Sequence, residues 1–267
     1  MKIGFIGTGN MGSAMMGGII SAGMVDASDV MASDIFQAAL DKVSEEFGVK
    51  TSTNNRDVVE FADIVFLAVK PQYLPHAIDG IKDMDYSNKL VVSIAAGQSL
   101  EKLSELFGKE LKLIRVMPNT PALIKEGMFG VCKGSYATEK DVEFVISILS
   151  KIGKCTEVTE EQMDIVTAIS GSGPAFFYKV IEDMARAGEK LGLDYEKSLL
   201  LATQTALGSA KMVFNRGETP VQTLIDNVAT KGGCTFVGIS VMNEENSDKL
   251  FLDVIEKTTI KANELGK

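Results

Sequence analysis

The sequence predicts an α/β domain followed by an all-helical one. Three observations carry that expectation. Short apolar runs alternate with helical patterns from residue 2 to about 158, the alternation then stops, and helical segments separated by glycines fill the remainder. Strand and helix in alternation require crossover connections and a mostly parallel sheet. A length of 267 residues suits two such domains, and 45% hydrophobic with 24% charged residues suits packed cores. The expected division is 1–158 and 159–267.

The elements follow in order. Ile3–Gly7 (IGFIG) is the first strand pattern, and it runs into glycines. Met11–Ser21 has helical spacing and stops at Ala22-Gly23. Val30–Asp34 reads as a second strand, and Gln37–Phe47 as a helix ended by Gly48. Asp63–Pro71 (DIVFLAVKP) holds a continuous apolar run, which suits only a strand buried on both faces, and Pro71 stops it. Leu90–Ile94 repeats that pattern before Ala95-Ala96-Gly97. Ser99–Phe107 is a helix with Ser99 as its cap, and Leu111–Met117 a further strand. Beyond Val158, helices are expected at Gln162–Ser170, Pro174–Leu191, Tyr195–Asn215, Val221–Ala229 and Asp248–Leu265. Pro174 and Pro220 fit first turns, and Asp194 and Ser247 fit N-caps. Leu199–Phe214 is apolar around most of its circumference, so it wants burial that a dimer or larger oligomer supplies more fully than a lone domain.

Composition removes several function classes. Net charge is -9 with no basic run, which speaks against nucleic-acid binding. No apolar run is long enough for a membrane span, and MKIGFIGTGN lacks a signal-peptide core, so a cytoplasmic location is the default expectation. Cys132, Cys155 and Cys234 have neither disulfide nor zinc spacing, and no metal site is expected. The single histidine, His76, argues against triads and His-metal clusters.

Gly7-Thr8-Gly9-Asn10-Met11-Gly12 is a G-x-G-x-x-G run between a strand and a helix, and Asp34 follows at the end of the second strand. That context, rather than the glycines alone, marks a Rossmann dinucleotide site. Gly7 permits a tight turn, Gly9 lets a pyrophosphate approach, and Gly12 lets helix and strand pack closely. Asn10 and Met11 open the helix whose free N–H groups would hold the phosphates. Asp34 suits a ribose 2′-OH and repels a 2′-phosphate, yet Ser33, Asn54, Asn55 and Arg56 offer a polar pocket near that ribose. NADPH and NADH both stay open. Three more strand ends complete the expected cofactor wall: Ala68-Val69-Lys70-Pro71, Ala95-Ala96-Gly97, and Met117–Pro121 with Asn119. Lys70 is a candidate for a phosphate, ribose, catalytic or structural role.

Taken together, AVKPQ (68–72), AAG (95–97), RVMPNTP (115–121), SGSGPAF (170–176) and VATKGGCT (228–235) resemble the pyrroline-5-carboxylate reductase family over nearly the whole chain. One departure is Lys231, where the family usually has Pro. The resemblance implies NAD(P)H-dependent reduction of 1-pyrroline-5-carboxylate, a small anionic cyclic imine, to L-proline. It also implies a dimer of interleaved helical domains, often gathered into a decamer. By matched position it puts substrate contacts on Thr235, Gly233 and Cys234, with Glu218 and Thr230 nearby and Glu160-Glu161 in an acidic segment between domains. Asn55 falls near the adenosine ribose.

The residues themselves add a reason. Gly232-Gly233 strips side chains from a loop ending at a helix start, so a carboxylate can reach free N–H donors, with Thr230 and Thr235 adding hydroxyls. Thr235 is expected to position the ring nitrogen rather than to act as a general acid. A hydroxyacid dehydrogenase is the nearest rival. It would need a lysine where Phe177 stands, and Lys179 comes two residues later. A non-catalytic nucleotide sensor is the other.

Overall fold

A computed structural model describes residues 1–266. By contacts the chain separates into two compact units, one of residues 1–172 with 257–267 and one of residues 173–256. The expected boundary after residue 158 marks the end of strand–helix alternation: the last strand closes at Glu157.

The first unit contains β1 (Ile3–Ile6), α1 (Asn10–Ser21), β2 (Val30–Ser33), α2 (Gln37–Phe47), β3 (Lys50–Ser52), α3 (Asn55–Phe61), β4 (Ile64–Leu67) and α4 (Leu74–Asp79). β5 (Leu90–Ser93), α5 (Leu100–Phe107), β6 (Lys112–Met117), β7 (Gly127–Lys133), α6 (Glu139–Leu149) and β8 (Gly153–Glu157) follow. The sheet order is β3-β2-β1-β4-β5-β6-β7-β8. β1 to β6 are mutually parallel, and β7 runs antiparallel to β6. This is a Rossmann sheet with two reversed strands added at one edge.

Its strands read as unbroken apolar runs because both faces are covered. Ile3, Phe5, Ile64 and Phe66 pack on one face with Met15, Met16 and Ile19 of α1. Val65, Leu67 and Val91 pack on the other with Val58, Leu74, Leu103 and Phe107. Phe5 and Phe66 stack across adjacent strands with ring centroids 4.9 Å apart. Ser99 caps α5 as expected, accepting from the Lys102 N–H at 3.1 Å.

The segment expected as one helix over Gln162–Ser170 is less regular. It consists of a 3₁₀ turn (Glu160–Gln162), the short α7 (Met163–Val166) and a π-helical turn (Thr167–Gly171). The second unit holds α8 (Gly173–Lys190), α9 (Tyr195–Phe214), α10 (Val221–Val228) and α11 (Cys234–Glu244), and α12 (Ser247–Leu265) crosses into the first. Asp194 caps α9 through the Lys197 N–H at 3.1 Å. Ser247, expected as a cap, is instead the first residue of α12. Asn246 precedes it in the left-handed region at φ 53°.

α8 and α9 pack closely enough that a Cβ on Gly188 would stand 2.5 Å from Ser198 Oγ. Yet these two long helices bury only Gly173, Ala185, Ser198 and Ala202, and α10 and α11 bury nothing. Phe177, Leu191, Leu200, Met212, Phe214 and Val237 are exposed.

Candidate active site

The parallel register sets a candidate dinucleotide site in the first unit. Ile6 pairs with Ser33 on one side and Leu67 on the other, and Leu67 pairs with Ser93. Gly7, Asp34, Ala68 and Ile94 therefore leave their strands side by side. They do so at the carboxyl edge, where the strand order reverses about β1. Gly7 N donates to Ser33 O at 2.7 Å, and Ala68 N to Ile6 O at 2.8 Å.

Gly7 lies at φ 99°, and a Cβ there would stand 2.7 Å from the Ala68 carbonyl oxygen. A Cβ on Gly12 would meet the Gly7 carbonyl oxygen at 2.7 Å, so α1 approaches the loop as closely as backbone allows. At Gly9 a Cβ would meet nothing within 4 Å. Gly9 is also the N-cap of α1 and contributes no side-chain bond. Beside exposed Asn10, the backbone N–H groups that open this 12-residue helix have no side-chain cap at its positive end. These residues fit a dinucleotide pyrophosphate. Met11 is half-buried against the core.

Thr8 holds the loop's shape. Asp34 Oδ2 accepts from Thr8 N at 2.8 Å and Thr8 Oγ1 at 3.0 Å, while Asp34 Oδ1 accepts from Phe36 N at 3.1 Å. Ser13 Oγ donates to Thr8 O at 2.8 Å. Ser33 is fully buried, and its hydroxyl donates to Asn55 Oδ1 at 2.8 Å.

The other strand ends fall along the same edge with varied roles. Val69 is half-buried, Lys70 is exposed, and Pro71 opens a 3₁₀ turn through Tyr73. Ala95 is buried and Ala96 half-buried. A Cβ on Gly97 would stand 3.2 Å from the Leu265 carbonyl carbon, so this glycine makes room for the end of α12. Asn119 is buried and braces the scaffold, accepting from Met128 N at 2.8 Å and donating to Ser170 O at 3.3 Å.

A separate candidate region lies in the other unit. Gly233 is the N-cap of α11, again without a side-chain cap. Gly232 takes φ 83°, which turns the chain into that helix. Gly233 N donates to Thr230 O at 2.9 Å, and a Cβ on Gly233 would stand 3.1 Å from Thr230 Oγ1. One tight turn thus collects Thr230, Gly232, Gly233, exposed Cys234 and half-buried Thr235 around the uncapped N–H groups. Glu218 sits in a separate exposed turn before α10, and no hydrogen bond joins it to this cradle among the described residues.

Glu161 is exposed on the 3₁₀ turn of the first unit, where the Thr159 hydroxyl holds its carboxyl below the usual range. Its neighbour Glu160 makes the more consequential contact, an ion pair with Arg115 inside the sheet. Arg115 pairs in register with Cys132, whose thiol is pushed up to about 12 by burial and by the Glu160 carboxylate. Phe177 stands where the hydroxyacid reading would need a lysine, and Lys179, two residues later, is exposed and paired with Asp183.

Residues 160–265 match the family described as pyrroline-5-carboxylate reductase dimerisation, and residues 2–97 the family described as NADP oxidoreductase coenzyme F420-dependent. A pyrroline-5-carboxylate reductase from Methanosarcina acetivorans is 40% identical over 266 residues, covering 100% of this chain and 98% of that one. The chain belongs to the pyrroline-5-carboxylate reductase family. The Escherichia coli reductase is 36% identical over the same 100% of this chain and 98% of its own. Among solved structures, the Coxiella burnetii reductase superposes with a TM-score of 0.93 at 33% identity, covering 100% of this chain and 98% of that one. The Plasmodium falciparum reductase, with NADP bound, gives 0.89 at 34% with the same coverage. A prephenate dehydrogenase from A. aeolicus, at 13% identity and a TM-score of 0.55, shares the fold alone. The family is one of NAD(P)-dependent oxidoreductases.

Proposed function

We propose that this chain reduces 1-pyrroline-5-carboxylate to L-proline with NAD(P)H, the last step of proline biosynthesis, and that it works as a homodimer. The observation that carries the reading is the turn Thr230–Thr235. Two glycines open the start of an 11-residue helix whose N-cap supplies no side chain of its own, in a family of reductases named for an anionic cyclic imine.

The bound dinucleotide supplies a hydride to the imine carbon. The chain's own residues hold the reactants. N–H groups of Cys234, Thr235 and Phe236 receive the substrate carboxylate at the positive end of α11. This local capture is needed because a net charge of -9 does not steer an anion inward. The Thr235 hydroxyl orients the ring nitrogen, while its own pKa is far too high for it to serve as the acid. Such imines are protonated in part near neutrality, so the nitrogen already carries the required proton. What remains is proximity and orientation, which supply on the order of 7–11 kcal/mol of barrier reduction. The glycine loop and Asn55 hold the dinucleotide, with Ala68, Val69, Lys70, Pro71, Ala95 and Ala96 beside it.

The dimer reading rests on the little-buried helices of the second unit, whose exposed Leu200, Met212 and Val237 need a partner of like character. Five such dimers gathered into a decamer is the larger assembly we place beside it, and light scattering separates the two.

The test of the catalytic reading is incubation with pyrroline-5-carboxylate and reduced dinucleotide. The expected result is L-proline formed in step with loss of nicotinamide absorbance. Protein that binds the dinucleotide and forms no proline would contradict it.

A further inference from the structure

The end of β2 carries a choice that the sequence leaves open. A dinucleotide seated on the glycine loop brings its adenosine ribose to this strand end. A 2′-phosphate there needs a cation, and a 2′-hydroxyl needs an acceptor. The polar pocket that would serve the phosphate consists of Ser33, Asn54, Asn55 and Arg56, and each of them has a protein partner.

Ser33 is fully buried and donates to Asn55 Oδ1 at 2.8 Å, so its hydroxyl proton is already engaged within the protein. Asn54 caps α3, accepting from Arg56 N at 3.1 Å, and donates to Asp57 Oδ1 at 3.2 Å. Arg56 is the cation of the set. It makes a two-pronged pair with Asp83 at 2.6 and 3.1 Å and donates to Gly80 O at 3.1 Å. That three-point hold directs the guanidinium toward the 80–83 turn.

Asp34, by contrast, is fixed in place. Three donors from Thr8 and Phe36 hold its carboxylate at the strand end beside the loop. A carboxylate has about four acceptor positions, so one stays available for a ribose hydroxyl. Its negative charge cannot swing away from a phosphate without releasing the Thr8 N–H that shapes the loop.

We infer that Asp34, with Arg56 withdrawn by Asp83, makes this enzyme select NADH over NADPH. The inference rests on the dinucleotide-dependent reading above, and it parts from the Plasmodium falciparum relative, which holds NADP. A like charge placed against a phosphate is strongly unfavourable, so the expected discrimination is at least ~10-fold in Kd.

The test is direct binding without substrate, by calorimetry with NADH and NADPH in turn, on the wild type and on Asp34→Asn. NADH is expected to bind at least ~10-fold tighter to the wild type. Asp34→Asn keeps the shape and one acceptor but loses the charge, so the ratio of the two Kd values falls toward one even if loss of the Thr8 contacts weakens both. Equal or tighter binding of NADPH by the wild type overturns the inference and leaves the reductase reading standing. A wild-type preference for NADH that survives intact in Asp34→Asn overturns the assignment to Asp34. Binding of neither dinucleotide overturns both readings.

Discussion

At the scale of residues, the account assigns Thr235 to orientation and not to proton transfer. Thr235→Ala should therefore lower kcat by roughly 10- to 100-fold, within the range that a misplaced reactant costs. The pH profile should keep its shape, and the melting temperature should stay near wild type, because the side chain does not fill a core. An unchanged kcat in a folded variant would remove Thr235 from the mechanism. Cys132 behaves in the opposite way to a reactive thiol. Burial beside Glu160 pushes it up to about 12, so near neutral pH it is almost wholly protonated. Alkylation of the native protein should leave Cys132 unmodified, and unfolding should release it. Modification of Cys132 in the native state, read by peptide mass, would contradict that placement. The same shift makes high pH destabilising. The folded thiol keeps its proton after the unfolded one has lost it, so this contribution is present below the unfolded pKa and is lost as pH rises toward about 12.

At the scale of elements, the cofactor half was legible because its signals are local. GTGNMG, the buried run before Pro71 and the cap at Ser99 each state their structure within a few residues. β3, which has only three residues, and β7, whose run GMFGVCK is interrupted by glycines and pairs with β6 through long-range contacts, leave little local signal in the sequence. α6 carried a readable signal, a Thr138-x-x-Asp141 capping box before an amphipathic run. Thr138 Oγ1 accepts from Asp141 N at 3.3 Å, and Asp141 Oδ2 accepts from Thr138 N at 2.7 Å. Thr138→Ala should cost about 1 kcal/mol of stability, measured by urea unfolding, with dinucleotide affinity unchanged. A loss of affinity at constant stability would mean that α6 does more than support the sheet. The roles of Thr8, Gly97 and Asn119 were beyond sequence reasoning for a shared reason. Their partners, Asp34, Leu265 and Met128 with Ser170, are set by the fold rather than by neighbouring residues.

At the scale of the whole molecule, the helical half does not enclose a core of its own. α10 and α11 bury no residue, and Leu200 and Leu201 on α9 are 70% and 59% exposed. In a monomer, Leu200→Glu would place a charge in water at little cost, within about 0.5 kcal/mol. In the proposed dimer it places a charge inside an apolar interface, so the mass by light scattering should fall to that of one chain and turnover should fall with it. A variant that keeps the wild-type mass would show that this face of α9 lies outside the interface. No helix among the described residues is long and apolar enough to cross a membrane.

In the proposed reaction a hydride passes from the dinucleotide to a cyclic imine whose carboxylate rests on the start of α11. The test uses dinucleotide carrying deuterium in both nicotinamide C4 positions, with pyrroline-5-carboxylate as acceptor and the product read by NMR. L-proline is expected with deuterium on the ring carbon that was the imine carbon. Proline without that label, or labelled dinucleotide oxidised with no proline formed, would contradict it.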